Sequence, residues 1–219
     1  EHDGPFGEVK VMHSIELSLG FKGKRTYVHG SDMLNATMQS IMDNTPHARI
    51  EKLDFKIGAM TNHVLNCYWW PRSIPQAPAG KDIANFTFYL DGVEHEGKLT
   101  QAEGLVEDRR AYDESLIESN CHYSDAKHSI SLTNMPEDFS PIEVLINLNK
   151  ALHLKELRLP AGSQWVFCRW ESRQWPLNHD LSGVELRIEQ NLGTRLSRTR
   201  IELGAEQIGT IYFSALKVD

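Results

Sequence analysis

The sequence predicts an α+β fold made of two tandem units, each consisting of a helix wrapped by an antiparallel sheet. The order strand, helix, strands occurs twice, with about one hundred residues in each copy. Within a copy, no helical pattern separates the successive strands after the helix. Because parallel neighbours need a long crossover, usually a helix, these strands are expected to pair antiparallel.

The first copy starts with a predicted strand over residues 9–17, where apolar side chains alternate. Ser31 is the expected N-cap of the helix, which ends at Asn44-Thr45-Pro46. One face of this helix carries an apolar stripe: Leu34, Met38, Ile41 and Met42. The four predicted strands that follow cover residues 50–57, 63–70, 83–90 and 95–102. Asp91-Gly92 is the hairpin turn between the last two.

Residues 105–127 are expected to connect a first unit, residues 1–104, to a second unit, residues 128–219. In the second unit, Ser140-Pro141-Ile142-Glu143 forms a predicted capping box with proline at the first helical position. Its predicted strands cover residues 128–132, 164–170, 184–190, 195–203 and 208–218. An apolar helix followed by such a meander must bury itself against the concave face of the sheet. That arrangement is the hot-dog shape, and two copies joined edge to edge give a double hot-dog pseudo-dimer.

Composition excludes several classes of protein. A net charge of −7 argues against a general nucleic-acid binder, since phosphate contacts need a basic surface. The sequence has no run of 18 or more apolar residues, so no membrane span is expected. Residues 1–5 show no signal-peptide pattern. The cysteines are odd in number and contain no CxxC pair: Cys67, Cys121 and Cys168. We therefore expect a cytoplasmic protein with neither nucleic-acid nor membrane partners.

No metal or other cofactor is expected, because His122, His128 and His153 match no ligand spacing on one element. Two basic clusters have two interpretations each. They are either solvated loop charges, the simpler interpretation, or landing sites for the phosphate of coenzyme A or a phosphopantetheine arm. The clusters are Lys22, Lys24 and Arg25, and Arg195, Arg198 and Arg200.

Two segments of the first copy resemble a known family. Residues 21–39, from Phe21-Lys22-Gly23 through Gly30 to Gln39, are similar to the active-site loop and central helix of the 3-hydroxyacyl-carrier-protein dehydratases. Residues 52–69 resemble the two strands that follow that helix. In the second copy, residues 133–147 match the loop-and-helix pattern, and residues 198–218 look like the C-terminal hairpin. The resemblance implies a double hot-dog fold and an acyl thioester, on coenzyme A or an acyl carrier protein, as partner.

The catalytic pair of that family is a histidine and a carboxylate, and this sequence departs from the family at both positions. Gly20 or Phe21 stands where the histidine of the first copy is expected, and Thr133 stands there in the second. Asn35 and Asn147 occupy the positions of the carboxylates. Because an asparagine cannot take up and release a proton, an ordinary dehydratase is not expected.

What remains is the start of the first helix. Free N–H groups at Gly30 and Ser31, aided by the helix dipole, would stabilise an oxyanion. His29-Gly30-Ser31 resembles the helix start of the bifunctional acyltransferase/decarboxylases of polyketide biosynthesis. Such a site suits decarboxylation of a malonyl-type thioester, acyl transfer or hydrolysis.

Several side chains near this helix are candidates for the chemistry. His29 is the first, with capping of a backbone group as an equal alternative. Asp32 is explained most simply by the helix dipole and otherwise as a base. Tyr27 is a nucleophile or proton donor, or else a half-buried aromatic. Asn35 and Asn147 bond either to the sheet backbone or to substrate.

Other interpretations stay open at this stage. The tryptophans are expected to pack on strands, with one or two lining an acyl tunnel: Trp69, Trp70, Trp165, Trp170 and Trp175. The protein is alternatively a non-catalytic acyl-binding or scaffold relative of a dehydratase. A further alternative is a dehydratase whose histidine is His13 or His128. It is expected to be a monomer, acting as its own pseudo-dimer, or a homodimer.

Overall fold

The computed structural model describes residues 12–193 and 195–217, so residues 9–11 of the first predicted strand lie outside the described part. The described part of the first half contains seven strands, one long helix and one short helix. In chain order these are β1 (His13–Leu17), β2 (Phe21–Lys22), α1 (Gly30–Asn44), β3 (Ile50–Ile57), β4 (His63–Pro71), β5 (Asp82–Leu90), β6 (Val93–Leu105), β7 (Arg109–Arg110) and α2 (Ser115–Glu118).

The second half repeats the order of strand, long helix and strands. Its elements are β8 (Cys121–Ser124), β9 (Ser129–Leu132), α3 (Pro141–Glu156), β10 (Ser163–Trp175), β11 (Val184–Asn191), β12 (Ser197–Leu203) and β13 (Glu206–Lys217). The predicted connector, residues 105–127, therefore holds β7, α2 and β8.

Eleven of the described strands form one antiparallel sheet in the order β1-β4-β6-β5-β3-β10-β13-β12-β11-β9-β8. Among the described strands, those of the first half meet those of the second half only where β3 pairs with β10. Arg169 and Asp54 cross this seam with two hydrogen bonds, 2.8 Å from Nε to Oδ1 and 3.0 Å from the second nitrogen to Oδ2. A single sheet thus joins both halves, as edge-to-edge joining of two copies predicts.

The two long helices bury their apolar faces against this sheet and contact each other. In α1 the buried stripe includes Leu34, Met38 and Ile41, as predicted. Helix α3 is apolar on nearly every side, and most of its residues from Ile142 to His153 are buried. Burial on several sides fits a helix packed between the sheet and neighbouring elements.

The two helix starts differ from each other. Ser140 caps α3, and the predicted capping box with Glu143 is present in both directions. The predicted N-cap Ser31 of α1 is wrong, because α1 already begins at Gly30 with His29 as N-cap. The His29 side chain does not cap the helix. The Ser31 hydroxyl is instead used by other side chains, and this leaves the first N–H groups of α1 open.

Close packing in the first half requires a glycine on β6. A Cβ atom at Gly97 would lie 2.3 Å from the Phe86 ring and 2.5 Å from the Tyr68 carbonyl oxygen. We expect Gly97→Ala to lower the free energy of unfolding by about 3 kcal/mol, because backbone and ring must both move. Urea unfolding measures this loss. Gly58→Ala is the control, since its Cβ would meet its nearest neighbour at 3.7 Å and cost little.

A buried histidine on α3 makes stability depend on pH. His153 bonds through Nδ1 to the Asn149 carbonyl at 2.7 Å and through Nε2 to the Ser197 hydroxyl at 2.5 Å. Burial lowers the pKa of His153 to about 4. Below about pH 6.5 the His153 side chain is therefore protonated in the unfolded chain but stays neutral in the folded protein until the pH approaches 4.

The free energy of unfolding should consequently fall by roughly 3 kcal/mol between pH 6.5 and pH 4 through this group. His153→Gln should flatten that part of the stability curve, whereas the same change at His122, an exposed residue of β8, should leave it unchanged. Denaturant unfolding across the pH range measures both slopes. An equal slope in wild type and His153→Gln would refute the assignment.

Candidate functional site

A short parallel pairing brings Lys22 into the interior. Strand β2 pairs with β7, placing Phe21 opposite Arg109 and Lys22 opposite Arg110. The pairing is continued on both sides by the Phe21 N–H bond to the Asp108 carbonyl and the Gly23 N–H bond to the Arg110 carbonyl. Lys22 is fully buried. The interpretation of Lys22 as a solvated loop charge is therefore wrong.

The Lys22 ammonium uses its hydrogens on three acceptors. It lies 2.6 Å from Ser31 Oγ, 2.8 Å from Asp32 Oδ1 and 2.7 Å from Glu143 Oε1. Arg110 donates from one terminal nitrogen to the same two carboxylate oxygens, at 2.8 and 2.6 Å. We call Lys22, Arg110, Asp32 and Glu143 the ion cluster. Its two positive and two negative charges balance, as a buried group of charges requires.

The two carboxylates of the ion cluster respond differently to their surroundings. Burial raises the pKa of Asp32, and the charges of Lys22 and Arg110 offset this only in part. Burial also acts to raise the pKa of Glu143. There, however, the charge and hydrogen bond of Lys22 and the bonds from Ser140 hold the pKa below its ordinary value. Glu143 is therefore the firmly ionised member of the pair.

The hydrogen-bond chain continues from the ion cluster to His29. Ser31 Oγ accepts from Lys22 and lies 2.8 Å from His29 Nδ1. Because an ammonium group only donates, the Ser31 hydroxyl hydrogen is free to point at Nδ1. Burial, and after it the charges of Lys22 and Arg25, lower the pKa of His29 well below its ordinary value. The lowered pKa makes His29 neutral, and a Ser31 hydroxyl that donates to Nδ1 would place the ring proton on Nε2.

A small cavity of about 60 Å³ lies at the start of α1. Its lining includes one glycine and four residues with polar side chains: Gly30, Tyr27, His29, Asn147 and Lys150. Apolar walls come from both halves of the chain and include Met33, Ile57, Trp165, Phe167 and Phe213. None of the described lining residues is an acid.

Gly30 is required where α1 meets the walls of the small cavity. A Cβ atom there would lie 2.6 Å from the Ile57 methyl carbon and 2.7 Å from the Phe167 ring. The first N–H groups of a helix have no partner within the helix, so those of Gly30 and Ser31 are the open donors of α1. Gly30 and His29 line the small cavity, whereas Ser31 is fully buried and is not among the described lining residues.

A larger cavity of about 610 Å³ lies along another face of α1, between this helix, the start of α3 and the chain after β10. Asp32, Arg110 and Glu143 of the ion cluster line it. Asn35 also lines it and donates to Ser140 Oγ at 2.6 Å, joining α1 to the cap of α3. The ion cluster therefore borders the large cavity and is linked to His29 of the small cavity only through Ser31, among the described residues.

The structure divides the predicted site residues between these places. Tyr27, His29, Gly30 and Asn147 meet at the small cavity, whereas Asp32 and Asn35 line the large one. Ser31 is buried between them. Thr133 is exposed, and its N–H donates to the Asn120 carbonyl at 2.7 Å.

The expected bonds from the two asparagines to the sheet backbone are wrong. Asn35 bonds to Ser140, and Asn147 donates to the Tyr112 hydroxyl at 2.5 Å and to the Glu143 carbonyl at 2.8 Å. Sequence reasoning also missed Lys22, Arg110 and Glu143 as members of one cluster. The capping box was the only signal that Glu143 had a fixed position.

The alternative catalytic histidines lie away from both cavities. His13 stacks on Trp69 with ring centroids 4.8 Å apart. His128 bonds to Glu156 at the end of α3, nine residues and therefore about 13 Å along the helix from Asn147. Arg198 and Arg200 of the second basic cluster pair with Glu189. Arg25 of the first basic cluster likewise forms an ion pair, with Glu114.

Residues 12–193 and 195–217 hold no group of three or more His, Cys, Asp or Glu side chains suited to a metal ion. Over the same ranges, no helix combines the length and the hydropathy needed to cross a bilayer.

Comparison with known proteins places the fold. No protein-family model and no curated protein matches the sequence. A solved structure described as an oleoyl thioesterase from Lactobacillus plantarum is similar over 97% of this chain and 99% of that chain, with a TM-score of 0.50 and 10% identity. The dehydratase domain of the CurJ module of curacin polyketide synthase is similar over 99% and 94%, with a TM-score of 0.50 and 9% identity.

These neighbours have the hot-dog fold. The resemblance of this sequence to dehydratases is thereby confirmed at the level of the fold. Like the neighbours, the chain has a large antiparallel sheet and few helices in its described part. At such low identity the likeness carries the fold and leaves the chemistry to the residues.

The ion cluster gives a direct prediction for stability. Lys22→Met leaves the buried Asp32 and Glu143 with Arg110 alone, so the free energy of unfolding should fall by about 3–5 kcal/mol. Urea unfolding measures this, with Lys24→Met at the neighbouring exposed lysine as control. Adding Glu143→Gln to Lys22→Met should recover part of the loss. A loss as small as that of the control would refute the cluster.

Proposed function

We propose that the chain is a double hot-dog protein that processes acyl thioesters at the small cavity. In this proposal residues 1–104 and 128–219 are the two hot-dog units, joined at the β3–β10 seam. Support comes from the continuous sheet, the two long helices and the fold shared with a thioesterase and a dehydratase domain. Coenzyme A and acyl carrier protein both present the same pantetheine thioester, and either serves as carrier. The free cysteines Cys67, Cys121 and Cys168 suit a cytoplasmic setting.

The observation that carries the reaction type is the hydrogen-bond chain from Lys22 through Ser31 to His29. It makes His29 a neutral donor through Nε2–H, next to the open N–H groups of Gly30 and Ser31. A donor cannot abstract an α-proton, and no described lining residue of the small cavity is an acid. The site therefore favours a reaction that needs a stabilised oxyanion and no base.

Decarboxylation of a malonyl-type thioester meets these conditions. The bond between the α-carbon and the carboxylate carbon breaks, carbon dioxide leaves, and the electron pair forms an enolate on the thioester oxygen. The donors of His29, Gly30 and Ser31 bind that oxygen as its charge develops. The Tyr27 phenol or water then returns one proton to the α-carbon, and solvent reprotonates the phenolate. The size of the cavity, about 60 Å³, suits a short acyl group.

Incubation with malonyl and methylmalonyl thioesters tests the proposal, with carbon dioxide and the acyl product measured by mass spectrometry. His29→Ala should lower the rate by roughly 100-fold, because one oxyanion donor is lost. Gly30→Ala should lower it as well, since the added carbon fills the contact with Ile57 and Phe167. His128→Ala, at an exposed histidine of the second half, is the control and should leave the rate unchanged.

The pH dependence of the decarboxylation rate follows from the neutral state of His29. Because the pKa of His29 is lowered well below its ordinary value, the rate should stay level from pH 8 to about pH 6. Further acid should lower the rate only where protonation of Nδ1 breaks its hydrogen bond from the Ser31 hydroxyl and releases the ring from this position. Loss of water from a 3-hydroxyacyl thioester would instead identify a dehydratase. Thermal stabilisation by thioesters without turnover would identify a binding protein.

A further inference from the structure

A third cavity, of about 300 Å³, lies where the two halves of the sheet meet. Its described lining comes from three neighbouring strands, β3, β10 and β13, and includes no residue of the small or the large cavity. We call it the seam cavity. Three of its nine described lining residues are polar without charge, and four are charged: Lys52, Asp54, Glu171 and Arg173. Such a lining suits a charged or polar ligand.

The two carboxylates of the seam cavity already have partners. Asp54 accepts two hydrogen bonds from Arg169, at 2.8 and 3.0 Å, and lies 2.9 Å from the Lys56 ammonium. Glu171 accepts from Arg169 at 2.6 Å and from the Tyr212 hydroxyl at 2.6 Å. Both carboxylates are therefore paired with cations of the protein. Neither is left to attract a positively charged ligand.

The two cations of the lining are not paired in this way. Between two ladder pairs of the same register, Arg173 of β10 lies opposite Lys52 of β3. Both residues are exposed, and neither forms an ion pair with a described residue. The Lys52 ammonium lies 4.5 Å from the centre of the Tyr89 ring, a contact that does not neutralise its charge. Like charges directly opposite on neighbouring strands repel, so a bound anion would stabilise this part of the seam.

Two hydroxyl groups of the lining are available as donors to an anion. Ser172 is only 7% exposed, and its Oγ has no hydrogen-bond partner among the described residues. Thr210 Oγ1 accepts from the Gln207 side-chain amide at 3.1 Å, so the hydroxyl hydrogen of Thr210 is left for another acceptor. A buried hydroxyl without a partner is unfavourable, and an oxygen of a bound anion would supply the missing acceptor.

We propose that the seam cavity binds a phosphate group, either as inorganic phosphate or as part of a phosphate monoester. Near neutral pH such a group carries a charge of about −1.5 to −2 and several strong acceptor oxygens. It therefore matches two unpaired cations and two hydroxyl donors. A nucleic-acid strand is disfavoured as the source of the phosphate by the net charge of −7. The site does not depend on the reaction proposed for the small cavity.

Calorimetric titration of the whole chain with inorganic phosphate and with glycerol 3-phosphate, at low ionic strength, tests the proposal. At least one of them should bind saturably, with a Kd of about 1 mM or tighter. Tighter binding of inorganic phosphate would identify the free ion as the ligand, whereas tighter binding of glycerol 3-phosphate would identify a monoester. No saturable binding of either compound would overturn the site.

The arginine of the seam cavity provides the sharpest variant. Arg173→Gln should weaken phosphate binding at least about tenfold, because a charge-assisted hydrogen bond and a positive charge are lost. Arg158→Gln is the matched control, since it removes the same charge from an exposed arginine outside the cavity and should keep the affinity of the wild type. Equal phosphate affinities in the two variants would overturn the assignment. In phosphate-free buffer, Arg173→Gln should keep the urea midpoint of the wild type, which shows that it folds.

A change at one of the carboxylates tests the sign of the ligand's charge. Glu171→Gln keeps an acceptor for the Tyr212 hydroxyl but removes a negative charge from the lining. Phosphate should then bind at least as tightly as it does to the wild type. Weaker phosphate binding by a folded Glu171→Gln protein would show that the cavity does not select an anion, and would overturn the proposal.

Discussion

The buried ammonium group of Lys22 is the interaction on which both cavities depend. It joins the start of α1, through Ser31 and Asp32, to the start of α3, through Glu143. Removing a charge of this kind from water is unfavourable unless its hydrogens and charge are fully matched. The match is met only when β2 pairs with β7 and both helix starts converge. The geometry of the site is therefore tied to correct assembly of the two halves.

The same interaction divides α1 into two chemical environments. Toward the small cavity, Ser31 Oγ accepts from Lys22 and lies next to His29 Nδ1. In the proposed tautomer this leaves His29 Nε2–H as a donor. Toward the large cavity, Asp32 and Glu143 neutralise Lys22 and Arg110 and leave unused N–H groups on the arginine. A single lysine thus links His29 at the small cavity to the carboxylates that line the large one.

Most of the fold was predictable because its signals are local. Strand β3 has the predicted bounds, and the capping box of Ser140 and Glu143 starts α3 as expected. The site was predictable only in part. Lys22-Gly23-Lys24 has the local pattern of an exposed turn, and burial of Lys22 arises from pairing with Arg110, far away in the sequence. Tyr27, His29 and Gly30 are close in sequence and line one cavity, whereas Asn35 bonds to Ser140 at the start of the other long helix.

Nitrogen NMR of the His29 ring tests the central claim most directly, because it reports which ring nitrogen carries the proton. The account predicts a neutral ring protonated on Nε2 from pH 8 to about pH 6, and a loss of this preference in Lys22→Met. A ring protonated on Nδ1, or an imidazolium in that range, would contradict the hydrogen-bond chain from Lys22. It would also remove the donor on which the proposed chemistry rests.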